Sequence, residues 1–339
     1  MVPAQAERSK LAISFSLRRL CGRKHRFCRQ LGKLKKGGVM KPEELKSALA
    51  NPIISLRTFF TREGRQDLES VRSTVEFAIC NDFKVLLLTS GDSSYELQSE
   101  EEIRALAQAV IEQAAGRATI VVGTAYHWWR NQIVDFARYV ENLGADGVMV
   151  LRPEASLGDS PDFENPVFEM YQAVAEAVDC GLVLNGVFSM RLLKRLAEIP
   201  NIIGLKEDAG DPWCHDALYA VGKKLALVGG GQKWRFLYGM LWGMVGYLST
   251  YALLAPQVTH RFWDAVQRKD LFTAAQIVDS YDNPFFQYAI GHPKGYHPVL
   301  QATMEVFGRG PRWMRPPQPS LNDREMDELR AIFDQIGLP

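Results

Sequence analysis

The chain has 339 residues, 47% hydrophobic and 23% charged, with 27 Gly, 17 Pro and a formal net charge of +1. Such proportions rule out extensive disorder and collagen-like repetition; the length fits two ordinary domains or one large α/β barrel. The charge is uneven, because residues 1–39 hold eleven Lys/Arg against one acid, Glu7, for a net +10, which leaves −9 on residues 40–339.

An acidic body is not a nucleic-acid-binding domain, so any such contact is confined to the basic segment. Residues 1–39 read in three ways: a disordered extension before a working start at Met40, a mitochondrial-type transit peptide, or an arm for nucleic acid or a membrane surface. They lack the apolar core of a secretory signal. The five cysteines (Cys21, Cys28, Cys80, Cys180, Cys214) are scattered, with no Cys-x-x-Cys. That argues for a reducing compartment and against a zinc site or a disulfide framework. The cytoplasm is the expected location, with the mitochondrial matrix as the alternative if the basic segment is a transit peptide.

From residue 40 onward, short continuous apolar runs alternate with helical segments. The runs are 53–58, 85–89, 120–123, 147–151, 182–185, 202–206, 225–229 and 246–249. Unbroken apolar runs suit parallel strands buried on both faces. Between them, Ser99 and Glu102 form a capping box for a helix that runs to about Gln113 and stops near Gly116. A helix over 132–143 stops at Gly144, and further helices are expected over 168–178 and 190–198. The 23 uncharged residues 236–258 are long enough to span a membrane, but their glycines, Ser249, Thr250 and Pro256 split them into a buried helix and a short strand. Eight β-α units with no Gly-x-Gly-x-x-Gly predict a (β/α)8 TIM barrel over residues 40–255. Residues 256–339 predict a C-terminal helical extension with helices over 259–282, 283–307 and 321–336.

In such a barrel the chemistry sits at the C-terminal ends of the strands. Lys206 closes the sixth run. Burial there disfavours the ammonium and leaves an amine able to attack a carbonyl; the plainer alternative is a lysine paired with Glu207 or Asp208. Thr89, Ser90, Gly91 and Asp92 follow the second run and could present O–H and N–H groups to a carboxylate, or form an ordinary turn. Tyr126, His127, Trp128, Trp129 and Arg130 follow the third; His127 and Tyr126 are candidate substrate contacts, the alternative being aromatic packing. Arg152 and Glu154 follow the fourth run in what reads as a solvated loop. Asn185 ends the fifth and could bond a ligand or cap the turn. No residue set has metal-ligand spacing, and no P-loop or Gly-x-Ser-x-Gly occurs. His292 and His297 read as structural. No cofactor is expected.

Gly204-Leu205-Lys206-Glu207-Asp208-Ala209-Gly210-Asp211, with its lead-in 195–203, resembles the Schiff-base lysine segment of the dihydrodipicolinate synthase/N-acetylneuraminate lyase family. Thr89-Ser90-Gly91-Asp92 resembles the family's Thr-Thr-Gly-Glu turn. Gly144-Ala145-Asp146-Gly147 resembles its Gly-Ala-Asp, Gly246-x-x-Ser249 its Gly-x-x-Ser, and Arg315-Pro316-Pro317 its ending. The resemblance covers Met40 to the C-terminus. It implies a class I lyase or aldolase in which Lys206 forms an imine with pyruvate or a related 2-oxo acid while Thr89 and Ser90 hold the carboxylate. It also implies Ser249 at the site and a homo-oligomer, tetramer or dimer. The alternative is a degenerate barrel that binds a small molecule without catalysis.

Three departures bear on mechanism. The fifth strand ends Leu184-Asn185-Gly186, without the family's tyrosine proton relay. Pro153-Glu154-Ala155 stands for Pro-Tyr-Tyr, and Gly229-Gly230-Gly231 for a Gly-Asp-Asp type motif. Imine formation needs proton transfers, so His127, Tyr126, Glu154 or bound water are the candidates to replace the tyrosine. The same departures argue against dihydrodipicolinate synthesis and sialic acid cleavage.

Overall fold

The computed structural model describes residues 40–156 and 160–338. The readings placed on residues 1–39, Cys21 and Cys28 included, lie outside the described residues. Cys180 and Cys214 are free thiols.

Eight parallel strands close into a barrel in sequential order, with the first paired to both the second and the eighth. They are β1 (Pro52–Ser55), β2 (Val85–Leu88), β3 (Thr119–Gly123), β4 (Gly147–Leu151), β5 (Gly181–Asn185), β6 (Ile202–Glu207), β7 (Ala226–Gly229) and β8 (Gly246–Leu248). A short helix, α1 (Pro42–Ala48), precedes β1. Between the strands run α2 (Leu68–Cys80), α3 (Glu100–Ala114), α4 (Arg130–Leu143), α5 (Pro161–Ala175), α6 (Met190–Leu196), α7 (Trp213–Val221) and α8 (Lys233–Met240). Ser99 caps α3 with its Oγ, and Glu102 returns the bond to the Ser99 N–H. Gly144 ends α4 at φ +99°, a left-handed conformation that suits glycine. α5 starts earlier than its apolar spacing indicates, because Pro161 occupies the first turn, where a missing N–H costs nothing.

Strand alternation builds two cores. Inward residues such as Ile53, Leu87, Val121, Met149, Val183 and Val228 fill the barrel, and Leu45 and Leu49 enter it from below. Outward residues pack under the helices in a larger continuous cluster. The bottom plug explains two glycines: a Cβ at Gly147 would lie 2.3 Å from Leu45 Cδ2, and one at Gly246 would lie 2.2 Å from the Leu49 carbonyl oxygen. Neither strand could carry a side chain there without moving the plug.

After β8 the chain forms α9 (Tyr251–Leu254), α10 (Pro256–Gln267), α11 (Leu271–Ile277), a π-helical turn (Val278–Asp282), α12 (Asn283–Gly291), α13 (Tyr296–Val306) and α14 (Asp323–Gln335). The single helices expected over 259–282 and 283–307 are each broken. Lys269 turns left-handed at φ +58° ahead of the Asp270 cap, and Pro293 and Gly295 separate α12 from α13. No helix among the described residues is long and apolar enough to cross a membrane; residues 236–258 hold the end of α8, β8, α9 and the start of α10. The extension shares the outer core, and a buried ion pair ties it to α8: Lys233 Nζ lies 2.5 Å from Asp282 Oδ1.

Candidate active site

Because all eight strands point the same way, their C-terminal ends gather at one mouth. A cavity of about 350 Å³ opens there, closed on one side by α13 of the extension. Lys206, Thr89, Ser90, Gly91, Tyr126 and Asn185 all line it.

Lys206 faces inward because β6 alternates: Leu205 lies in the outer core, while Ile203, past a bulge in the β5–β6 register, lies in the inner one. Its side chain is 9% exposed. The ammonium donates to Asp208 Oδ2, and the same oxygen accepts from Asn185 Nδ2 at 2.8 Å. Asn185 Nδ2 also contacts the Lys206 carbonyl at 3.3 Å, which anchors the end of β6 to β5. Of the two acids adjacent in sequence, Asp208 is thus the partner. Glu207 points outward and accepts from the Gly210 N–H. The glycine-rich end of β7 accommodates Asp208, since a Cβ on Gly230 would fall 1.7 Å from its Oδ1.

The Thr89–Asp92 turn is fixed from below. Ser93 Oγ accepts from the Thr89 N–H at 3.2 Å and donates to the Leu56 carbonyl at 2.7 Å; Thr58 Oγ1 donates to the Ser93 carbonyl at 2.6 Å. The turn is thereby locked to β1 with Ser90 Oγ buried and left without a hydrogen-bond partner among the described residues. Burying a hydroxyl unpaired is costly, so the position suits a group that binds there.

Several residues lie elsewhere than expected. His127 is exposed and does not line the cavity; the turn after β3 directs Tyr126 inward, so the next side chain faces solvent, and Trp128 packs on Phe136 with ring centroids 4.8 Å apart. Glu154 is exposed and also outside the cavity. Arg152 is buried as a brace, donating to the Val187 carbonyl and, at 2.6 Å, to the Ser156 carbonyl. Ser249 turns away and shares a 2.9 Å hydrogen bond with Thr259 of α10, and Thr250 faces the cavity instead. His297, read as structural, lines the cavity with Tyr296.

Arg57, Asp92, Asp208, Tyr296 and His297 complete the polar wall. Arg57 carried the same signal as Lys206, a cation in an apolar strand run, whereas His297 arrives from a helix far along the chain. Burial, and then the positive charge of Arg57, holds the His297 imidazole below its usual pKa. Burial raises the Tyr126 phenol, and nearby Glu96 and Glu154 raise it further. No group of three His, Cys, Asp or Glu side chains that could hold a metal ion occurs among the described residues. The arrangement supplies an amine, an adjacent carboxylate and unpaired donors around a small cavity, which are the parts of amine-carbonyl chemistry.

The sequence profile of the dihydrodipicolinate synthetase family matches residues 48–336. A probable 5-dehydro-4-deoxyglucarate dehydratase of Rhizobium rhizogenes is 26% identical, covering 87% of this chain and 98% of that protein. The 4-hydroxy-tetrahydrodipicolinate synthase of Nitrosospira multiformis is 30% identical, covering 86% and 97%. The crystal structure of dihydrodipicolinate synthase from Oceanobacillus iheyensis shares the fold, with a TM-score of 0.78 at 21% identity over 88% of this chain and 99% of that one. With a closed eight-strand barrel, a lysine at the mouth end of β6 and a family match along nearly all the described residues, this chain belongs to the dihydrodipicolinate synthetase family.

Proposed function

We propose that this chain, a lyase-type enzyme by family, acts on a 2-oxo acid through an imine at Lys206. The observation that carries this reading is the buried Lys206 amine at the mouth end of β6, beside a cavity whose β2 wall carries the unpaired Ser90 hydroxyl. The dehydratase and synthase names of its relatives support lyase chemistry on such acids.

Asp208 takes the place of the missing tyrosine. Its carboxylate accepts a proton from the Lys206 ammonium, and the freed amine attacks the keto carbon. After a proton shift from nitrogen to oxygen, Asp208 returns its proton to the carbinolamine oxygen, which leaves as water. The product is an iminium, with the carboxylate restored. The iminium withdraws electrons, so the neighbouring carbon can lose a proton or a bond to carbon can break. Thr89 and Ser90 hold the substrate carboxylate. His127 and Glu154, exposed outside the cavity, have no part in this scheme, and Tyr126 stays on the wall as a second hydrogen-bonding group.

Borohydride reduction in the presence of pyruvate and larger 2-oxo acids, followed by intact mass and peptide mapping, tests the reading. A stable adduct on Lys206, absent from Lys206→Ala, supports it. No adduct with any acid, from folded protein, would leave the chain as a binding barrel without imine chemistry.

A further inference from the structure

Lys233 and Asp282 form an ion pair sealed inside the protein, 2% and 1% exposed. The Asp282 carboxylate meets Lys233 twice: Oδ1 accepts from Nζ at 2.5 Å, and Oδ2 accepts from the backbone N–H at 3.0 Å. The rings of Tyr251 and Phe262, centred 4.1 and 5.8 Å from Nζ, pack on the ammonium. Desolvating two charges costs about as much as their attraction returns, and apolar residues of similar volume hold such a place as well or better. Stability alone therefore does not account for the pair.

What the pair fixes is the first turn of α8. Lys233 is the first residue of that helix, where backbone N–H groups have no partner within the helix. Gln232 precedes it at φ +53°, and its side chain does not cap the helix. Asp282, 49 residues further on in the π-helical turn, takes the place of a local cap. The turn held in this way, Gly230-Gly231-Gln232, meets Asp208, which carries the protons in the imine scheme. The Gly230 N–H donates to the Glu207 carbonyl at 2.7 Å, and the Cβ that Gly230 lacks leaves the space taken by Asp208 Oδ1. Arg235 of α8 donates from Nη1 to the Asp208 carbonyl at 3.1 Å. On the other side, Lys206 and Asn185 bond the Asp208 carboxylate. A shift of the first turn of α8 thus moves Asp208 relative to the amine.

We propose that Asp282 is a positioning residue for the reaction at Lys206: through Lys233 it holds the start of α8, and α8 with the turn before it holds Asp208 against the amine. The Lys233 ammonium neutralises Asp282 and orients it by occupying Oδ1. This rests on the reading of Lys206 as the imine-forming amine and of Asp208 as its acid-base partner.

Borohydride trapping rates across pH, with pyruvate and 2-oxohexanoate as probes, test it. The Lys233→Met/Asp282→Leu chain removes both charges and the cap together, so no unpaired charge is left buried. It is expected to fold, read as a cooperative thermal melt, and to be trapped about 10–10²-fold more slowly, the cost of a small misplacement at a reacting centre. Its rate should keep rising toward alkaline pH, because solvent must then take the proton of the amine. Lys233→Met/Asp282→Asn, whose amide oxygen still accepts from the backbone N–H, should recover most of the rate at neutral pH. Should the Met/Leu pair fail to fold, Asp282→Glu, which keeps the charge but lengthens the tie by one methylene, decides alone and should show the same slowing and the same alkaline rise. A parental rate in the deciding chain, a slowing with the parental pH profile, or a Met/Asn pair no faster than the Met/Leu pair overturns the proposal. An unsubstituted chain that forms no adduct on Lys206 shows instead that the lysine reading fails, and this proposal falls with it.

Discussion

Asp208 holds the Lys206 amine from two residues further along the chain, and it does so over a backbone position, Gly230, that can carry no side chain. The ends of β5 and β7 therefore both shape the surroundings of the Lys206 partner. Asn185, at the end of β5, bonds the carboxylate; Gly230, past the end of β7, leaves room for it.

If Asp208 moves the protons, Asp208→Asn should slow borohydride trapping by about 10²–10⁴-fold, the usual worth of a positioned acid-base group. The amine must then lose its proton to solvent, so the trapping rate should keep rising toward alkaline pH in the variant. An unchanged rate and pH profile would remove Asp208 from the mechanism.

Gly230→Ala should reproduce much of that loss. Its Cβ would meet Asp208 Oδ1 at 1.7 Å and the Glu207 carbonyl oxygen at 2.6 Å, so both the carboxylate and the backbone must shift. A stability cost of about 1–3 kcal/mol is expected from the overpacking. Denaturant melts and trapping rates on the same sample check both.

Stability should fall on mild acidification because of His297. Its folded-state pKa lies below the ordinary value of 6.5, through burial and the charge of Arg57. Above that value both folded and unfolded chains hold it neutral. Below it the unfolded chain takes up a proton that the folded chain refuses, so stability drops until the pH reaches the folded pKa. His297→Gln should flatten that part of the curve, read as the urea midpoint between pH 7 and pH 5.5. An unaltered slope would show that His297 is not the group responsible.

His127→Ala should be silent. The side chain is exposed and away from the cavity, so trapping rates should match the parent and stability should stay within about 0.5 kcal/mol. A loss of activity would return His127 to the candidates for proton transfer.

The extension should also be felt in the stability of the barrel. Arg315, in the loop before α14, pairs with both oxygens of Glu102 at 2.7 and 2.8 Å and donates to the Leu97 carbonyl at 2.7 Å, fastening that loop to the start of α3. Glu102 sits below its ordinary pKa through this pairing. Arg315→Ala should lower the melting temperature by a few degrees, on the order of 1 kcal/mol for a partly exposed bidentate pair, and thermal unfolding measures it.

What could be read directly from the residues is local in origin. Continuous apolar runs, the Ser99–Glu102 capping box and the Gly144 stop depend on neighbours a few positions away, and these place the strands and helices of the barrel. Lys206 was visible for the same reason, as a charge closing an apolar run at the end where such barrels do chemistry. Which side a residue takes is decided otherwise. A shift of one position separates Thr250, in the cavity, from Ser249, bonded to Thr259 behind it, and likewise Tyr126 from His127. Such choices follow strand register and the packing of helices, which no short stretch contains. Arg57 meets Gln301 and His297 only because the barrel closes and α13 folds back across its mouth, joining groups some 240 positions apart. The composition of the polar wall is thus a property of the closed structure, set by long-range contacts that leave no periodic trace in the sequence.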